Sequence, residues 1–370
     1  MEISVAYDLW ELLSQTGKHV VMYGMGNGAD KILRVCESRG IEIADFFASD
    51  GFVRGHRFHG KEVLSWSAVK EKYGAENVIV LLSFGTSRPE VLENIMRIAG
   101  ESELYAPDVP VFGDGLFDRA FFNEHRDELL RVRDMLSDEE SVRIFEDVVR
   151  YKLTGDIKPL LRATSNEEDV MRTLVRPHEI RVAADFGAYN GDTVRQLLDR
   201  AEGSIERIYA FEPDRRNFQK LEIYAKDERR AEILPVEAGA WNEDTTLCFD
   251  ASGNRNASFE SNRSLVLSDR PAKIREIRAR RPDSVIRDEH VDYMKYDVEG
   301  SEKEALEGSE GIIRTYYPRL LVSLYHRNED LFALPLFIKE HYPQYNRFYL
   351  RRFAGVPAWD INLYCEKTEY

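Results

Sequence analysis

The chain has 370 residues, 43% of them hydrophobic and 32% charged, with a formal net charge of −15 at pH 7. This length exceeds one ordinary hydrophobic core and predicts two domains. The acidic balance argues against a nucleic-acid partner, because phosphate binding requires a cationic surface. The sequence has no apolar run of membrane-spanning length and no signal-peptide pattern, so we expect a cytoplasmic protein without membrane insertion.

Residues 1–115 alternate apolar and amphipathic segments. Near-continuous apolar runs at 19–25, 41–50 and 77–84 predict buried parallel strands, and 109–112 predicts a short last strand. Helical patterns lie between them, at 29–40, 63–74 and 89–100. This alternation predicts a small Rossmann-like α/β domain.

The loop "YGMGNGAD" (23–30) follows the first of these strands and precedes a helix. Gly24, Gly26 and Ala29 fit the G-x-G-x-x-G/A fingerprint. Asp50 lies near the end of the next strand, where an acidic residue hydrogen-bonds the ribose in such sites. The loop predicts a nucleotide or nucleotide-sugar site. A docking or dimerisation domain without a ligand is an equal alternative, because no catalytic residue set accompanies the loop.

Residues 116–178 read as a charged helical connector, whose wide polar face predicts packing between domains. Residues 179–370 resume the alternation and predict a doubly wound sheet that ends in an antiparallel edge hairpin. The predicted strands are 180–187, 207–213, 231–241, 291–298 and 319–326, followed by the hairpin strands 346–353 and 360–367. The basic run "KIREIRARR" (273–281) has a helical pattern and predicts a solvated face, with a groove for an anionic substrate as the less favoured alternative.

Several strands of this second sheet end in residues that suit a ligand, because ligands bind at the carboxyl ends of parallel strands. The acidic residues at these strand ends would repel a pyrophosphate, but they suit a ligand with an ammonium and a sulfonium, such as S-adenosylmethionine. Glu212 ends the second of these strands, where its carboxylate can accept hydrogen bonds from the ribose hydroxyls of that cofactor. The predicted cofactor-binding residues are Asp185, Gly187, Gly191, Asp192, Glu212, Glu237 and Ala238.

Four segments together resemble the FkbM family of S-adenosylmethionine-dependent methyltransferases. They are "DFGAYNGDT" (185–193), "YAFEPDRRNFQKLE" (209–222), "VDYMKYDVEGSEKEALEG" (291–308) and "LLVSLYHRNEDLFALP" (320–335). The resemblance covers about half of the chain and implies a class I methyltransferase-type sheet that binds S-adenosylmethionine. The polar segment 250–285 departs from the family pattern, so the resemblance does not extend to the acceptor.

Methyl transfer to a hydroxyl requires alignment of donor and acceptor and removal of a proton. We assign the base role to His326, which ends the fifth strand, and the orienting or donor-contacting role to Asp297. A divalent cation held by Asp297, Glu299 and His326 is a less favoured alternative. The prediction is therefore an O-methyltransferase acting on a sugar, glycan or related metabolite.

Two other readings remain open. One is an NAD-dependent sugar-modifying oxidoreductase that uses the first loop, and the other is a non-catalytic ligand-binding protein. For the leading prediction the partner is a small-molecule or glycan acceptor, and a homo-oligomer is compatible with the sequence.

Overall fold

Two mainly parallel sheets, one in each half of the chain, organise the molecule. The computed structural model describes residues 6–53, 55–113, 115–250 and 274–368. The strands of the first half are β1 (His19–Tyr23), β2 (Ile43–Ala48), β3 (Arg57–Phe58), β4 (Lys61–Ser65), β5 (Val78–Leu82) and β6 (Glu103–Tyr105). Its helices are α1 (Leu9–Gln15), α2 (Asn27–Ser38), α3 (Trp66–Tyr73) and α4 (Pro89–Glu101), with short 3₁₀ turns at Asp50–Phe52 and Ala75–Asn77.

The first sheet has the order β3-β4-β2-β1-β5-β6 and is parallel except for the β3–β4 pair. Every residue of β5 is buried, as an apolar run covered on both faces requires. The predicted strand at 109–112 is wrong: the sheet ends at β6, and no strand forms over 109–112. The predicted helix at 63–74 begins later, at Trp66, because residues 63–65 pair with β2 as part of β4.

Helices connect the two sheets, as the sequence predicts. They are α5 (Arg119–Glu124), α6 (Arg126–Met135), α7 (Glu139–Thr154), α8 (Ile157–Arg162) and α9 (Glu167–Val170), with a π-helical turn at Met171–Val175 and a 3₁₀ turn at Pro177–Glu179. They pack mainly against the second half of the chain: the Leu350 amide donates to Ser141 Oγ at 2.9 Å, and the Phe332 ring stacks on His125 with centroids 4.7 Å apart.

The second half forms a seven-stranded sheet and a small three-stranded one. The strands are β7 (Val182–Phe186), β8 (Arg207–Phe211), β9 (Glu232–Val236), β10 (Gly239–Ala240), β11 (Thr245–Asp250), β12 (Ile274–Arg280), β13 (Tyr293–Tyr296), β14 (Arg319–Ser323), β15 (Arg347–Arg352) and β16 (Ile361–Glu366). The helices are α10 (Asp192–Arg200), α11 (Arg215–Asp227), α12 (Pro282–Val285), α13 (Glu302–Gly308), α14 (Glu310–Tyr316) and α15 (Asp330–His341).

The large sheet has the order β15-β16-β14-β13-β7-β8-β9, in which β16 runs antiparallel to β14 and β15. The doubly wound sheet and its edge hairpin are thus confirmed. The helical interpretation of 273–281 is wrong: residues 274–280 of this run form β12, which pairs antiparallel with β11. Residues 251–273, which include most of the polar segment, lie outside the described residues.

The two halves contact each other through loops and the connector. Thr86 and Val356 exchange two backbone hydrogen bonds of 2.8 and 2.9 Å. Lys152 of α7 pairs with Asp108 at 2.7 Å, and both side chains are buried. Among the described residues, no helix is long and apolar enough to cross a membrane.

Candidate active site

The order of the large sheet reverses between β7 and β13, and acidic residues stand at the carboxyl ends of both strands. Asp185 of β7 is 1% exposed and pairs in register with Lys295 of β13. Lys295 Nζ donates to Asp185 Oδ1 at 3.0 Å and lies 3.7 Å from Asp297 Oδ2. The second oxygen of Asp185, Oδ2, has no hydrogen-bond partner among the described residues.

The loop after β7 passes so close to its neighbours that two positions require glycine. Gly187 has φ +89°, and a Cβ there would lie 1.9 Å from the carbonyl oxygen of Asp297. Gly191 has φ +85°, and a Cβ there would lie 2.6 Å from the Tyr224 ring. Asp192 follows as the exposed first residue of α10. The predicted loop therefore lies directly against the end of β13.

Glu212 follows β8 and is 6% exposed. Its two carboxylate oxygens accept from the Tyr189 amide at 2.9 Å and the Asp214 amide at 2.8 Å, which joins the loops after β7 and β8. Burial raises the pKa of Glu212 to about 7. After β9, Ala238 is buried whereas Glu237 is exposed. The predicted cofactor residues thus follow three consecutive strands of the sheet.

His326 lies beyond the end of β14 and is 1% exposed. Its Nε2 lies 3.5 Å from Asp297 Oδ1 and 3.5 Å from Glu299 Oε2. Its Nδ1 lies 2.9 Å from Glu302 Oε1, and the Tyr325 hydroxyl donates to Asp297 Oδ1 at 3.0 Å. The structure therefore brings together the predicted residues Asp297, Glu299 and His326.

The carboxylates of this cluster outnumber its cations. Burial lowers the pKa of His326, but the charge of Glu302, together with those of Asp297 and Glu299, outweighs this and raises it to about 10. Burial alone would raise the pKa of Asp297, yet Lys295 and His326 hold it below its usual value. Burial raises the pKa of Glu299 to about 7.

Sequence reasoning missed Lys295 and Glu302 as site residues. Lys295 interrupts an otherwise apolar strand and is buried, a position where lysine is rare unless it is paired. Glu302 is 1% exposed in the first turn of α13 and accepts from the Val298 amide at 2.9 Å. Both residues belong to the stretch "KYDVEGSE" (295–302). The signal that could have identified Lys295 is a single charged residue within an apolar strand.

The predicted N-terminal nucleotide site is only partly assembled by the fold. Gly24 and Gly26 adopt φ +114° and +118° before α2, and the space above Gly26 is open. The Asp50 carboxylate instead accepts from the Ser67 hydroxyl at 2.7 Å, beside the start of α3. This site stays a prediction.

A connection from the first half of the chain reaches the C-terminal site. The Phe112 amide donates to the carbonyl oxygen of His326 at 3.0 Å, and the two rings lie 6.0 Å apart. The Asn328 amide group donates to the Gly115 carbonyl at 2.8 Å. Phe112 and Gly115 therefore each bind the loop that contains His326, one through its backbone and one through the Asn328 side chain.

The strand order and the acidic strand ends match the class I methyltransferase-type sheet that the sequence predicts. Residues 185–347 match the family model of the methyltransferase FkbM domain. The chain is thus a methyltransferase that carries an FkbM-family domain in its C-terminal half, as its sequence predicted. No curated protein matches the sequence.

Solved structures similar to the chain include other methyltransferases. The methyltransferase FkbM from Methylobacillus flagellatus KT is 21% identical, covers 97% of this chain and 94% of its own, and has a TM-score of 0.71. The rRNA methylase from Streptococcus thermophilus is 14% identical over 51% of this chain and 87% of its own, with a TM-score of 0.33. Fibrillarin from Aeropyrum pernix, solved with S-adenosyl-L-methionine, is 14% identical over 51% and 68%, with a TM-score of 0.31. The first of these shares the fold of both halves.

Proposed function

We propose that the protein transfers a methyl group from S-adenosylmethionine to a hydroxyl of a sugar, glycan or related metabolite. One observation carries this proposal. The Asp297 side chain, 30% exposed, stands at the reversal of the sheet beside the cofactor loop, with the buried His326 ring behind it. A carboxylate in this position suits a hydroxyl acceptor, which gives up a proton as it is methylated.

The residues at the ends of β7 and β8 fit the cofactor. Asp185 Oδ2 is buried without a partner among the described residues, so it is available to a donor group. The absence of a Cβ at Gly187 lets the loop after β7 lie against the Asp297 carbonyl, beside the Asp185 carboxylate. We propose that Asp185, Glu212 and the Gly187–Gly191 loop hold the cofactor, with Asp192, Glu237 and Ala238 at its edge. The bound cofactor supplies an electrophilic methyl group.

The two catalytic candidates, Asp297 and His326, differ in solvent exposure, and we propose a different role for each. Asp297 is accessible, and we propose that one of its carboxylate oxygens takes the hydroxyl proton. His326 is 1% exposed and does not reach solvent, so we propose that it positions Asp297. This reverses the division predicted from the sequence, in which His326 was the base.

The test uses methyl-labelled S-adenosylmethionine and a panel of glycans, sugars and nucleotide sugars. We expect an O-methyl product, identified by the carbon-13 shift of the methyl group; transfer only to nitrogen or carbon would refute the proposal. Asp297→Asn should lower kcat at least about 100-fold while cofactor affinity changes less than about threefold. The control Asp227→Asn removes an exposed carboxylate at the end of α11 and should leave kcat unchanged. Full activity of Asp297→Asn would remove Asp297 from the chemistry.

A further inference from the structure

A cluster of ligand atoms lies at the ends of β13 and β14. Asp297, Glu302 and His326 each offer one atom, and these three atoms lie within 4.8 Å of one another. We propose that these three residues bind a divalent metal ion. Glu302 takes the place that the sequence hypothesis gave to Glu299.

The spacing of the three residues is close to that of a coordination shell. Two ligands that bind one ion through bonds of about 2.1 Å lie at most about 4.2 Å apart. Asp297 Oδ1 approaches His326 Nε2 at 3.5 Å and Glu302 Oε1 approaches His326 Nδ1 at 2.9 Å, so a side-chain rotation must bring both carboxylates to one ring nitrogen before they share an ion. The residues come from three rigid positions: the end of β13, the first turn of α13 and the loop after β14.

Unpartnered buried atoms point into this cluster. Glu302 and His326 are each 1% exposed, yet Glu302 Oε2 and both ring nitrogens of His326 have no hydrogen-bond partner among the described residues. The 2.9 Å approach of His326 Nδ1 to Glu302 Oε1 does not have the geometry of a hydrogen bond. Glu302 Oε1 is held by the Val298 amide, which leaves Oε2 free. Buried polar atoms of this kind require a water molecule or an ion.

The carboxylates of Asp297, Glu299 and Glu302 all lie within 3.5 Å of a ring nitrogen of His326, and this concentration of carboxylates favours a cation. The nearby ammonium of Lys295 lies 3.7 Å from Asp297 but is held more closely by Asp185, at 3.0 Å. Asp297 is partly exposed, which gives an ion access from solvent.

One imidazole and two carboxylates form a mixed nitrogen and oxygen donor set, which suits Mn²⁺ or Zn²⁺ better than Mg²⁺. Three protein ligands also leave coordination positions open. A divalent ion here would lower the pKa of a hydroxyl bound beside it, a role that rests on the proposed function.

The test is a titration of the purified, chelator-treated full chain with Mn²⁺ alone, followed by calorimetry and by the paramagnetic resonance signal of free Mn²⁺. We expect one Mn²⁺ per chain. His326→Ala and Glu302→Gln should weaken binding at least about tenfold. Asp297→Asn, which alters the most exposed of the three ligands, serves as a further variant should a buried substitution disturb folding. The control Glu304→Gln removes a carboxylate from the same helix outside the cluster and should leave Mn²⁺ affinity within about threefold.

Absence of Mn²⁺ binding, or binding that all three ligand variants leave intact, would overturn the metal site. Cofactor affinity, measured in parallel by calorimetry with S-adenosylmethionine, reports whether each variant is folded. Methyl transfer that continues in excess chelator, together with absent Mn²⁺ binding, would refute the metal site and leave the proposed function standing. Absence of S-adenosylmethionine binding by the unmodified protein, together with intact Mn²⁺ binding, would refute the proposed function and leave the metal site standing.

Discussion

Replacing Gly187 by alanine tests the close contact on which the cofactor loop depends. The new Cβ would lie 1.9 Å from the Asp297 carbonyl oxygen, where ordinary contact begins at 3.4 Å, so one segment must move by about 1.5 Å. The left-handed φ of +89° adds about 1–2 kcal/mol, and overpacking of this kind about 1–3 kcal/mol. We therefore expect a loss of about 2–5 kcal/mol in the free energy of unfolding.

Gly203→Ala is the matched control. Gly203 has φ +85°, but no atom lies within 4 Å of a Cβ built there, so only the conformational cost of about 1–2 kcal/mol applies. Chemical denaturation measures both costs, and calorimetry with S-adenosylmethionine measures affinity. We expect Gly187→Ala to weaken cofactor binding at least about tenfold and Gly203→Ala to leave it unchanged. Equal stability and equal affinity in the two variants would refute the reasoning about this loop.

Three further predictions concern buried charge. The folded-state pKa of Glu212, about 7, exceeds its ordinary value of 4.5, so its ionisation destabilises the fold as pH rises from 4.5 towards 7. Denaturation of Glu212→Gln should therefore show a smaller fall in stability over this window than the unmodified protein; an identical pH dependence would contradict this. His326→Ala should lower kcat at least about tenfold with cofactor affinity nearly unchanged, and equal losses in both would indicate a general structural defect. Lys152→Met leaves the buried Asp108 carboxylate without its ion-pair partner and should lower the free energy of unfolding, measured by thermal denaturation, by about 3–5 kcal/mol. Breaking the exposed Lys18 pair with Lys18→Met should cost less than about 1 kcal/mol, and similar losses would show that burial does not govern these pairs.

Two of the errors in the predicted secondary structure, at 273–281 and at 63–65, share a physical cause. The run "KIREIRARR" has a helical spacing of isoleucines, but its described residues form β12 because β11 offers an antiparallel partner. Residues 63–65 likewise join β4 because they lie beside β2. Local pattern is a weak determinant when a neighbouring strand supplies backbone hydrogen bonds. Partners distant in the sequence decided both cases.

The candidate site was predictable where its residues follow apolar strands. Asp185, Glu212 and Asp297 each close a buried run, and parallel strands bring such ends to one edge of a sheet. Glu302 was not predictable in this way, because it lies in the first turn of a helix and reaches His326 only through the fold. The buried environment of His326, which sets its exposure and its neighbours, was equally hidden from the sequence.

The sequence by itself determined the alternating apolar and amphipathic segments, the glycine loop after β7 and the acidic strand ends, because each depends on residues adjacent in the chain. Only the tertiary structure decided that Lys295 pairs with Asp185, that Asp297 is accessible while His326 is not, and that Glu302 completes the cluster. These features depend on strand register and on burial, which arise when segments far apart in the sequence pack together.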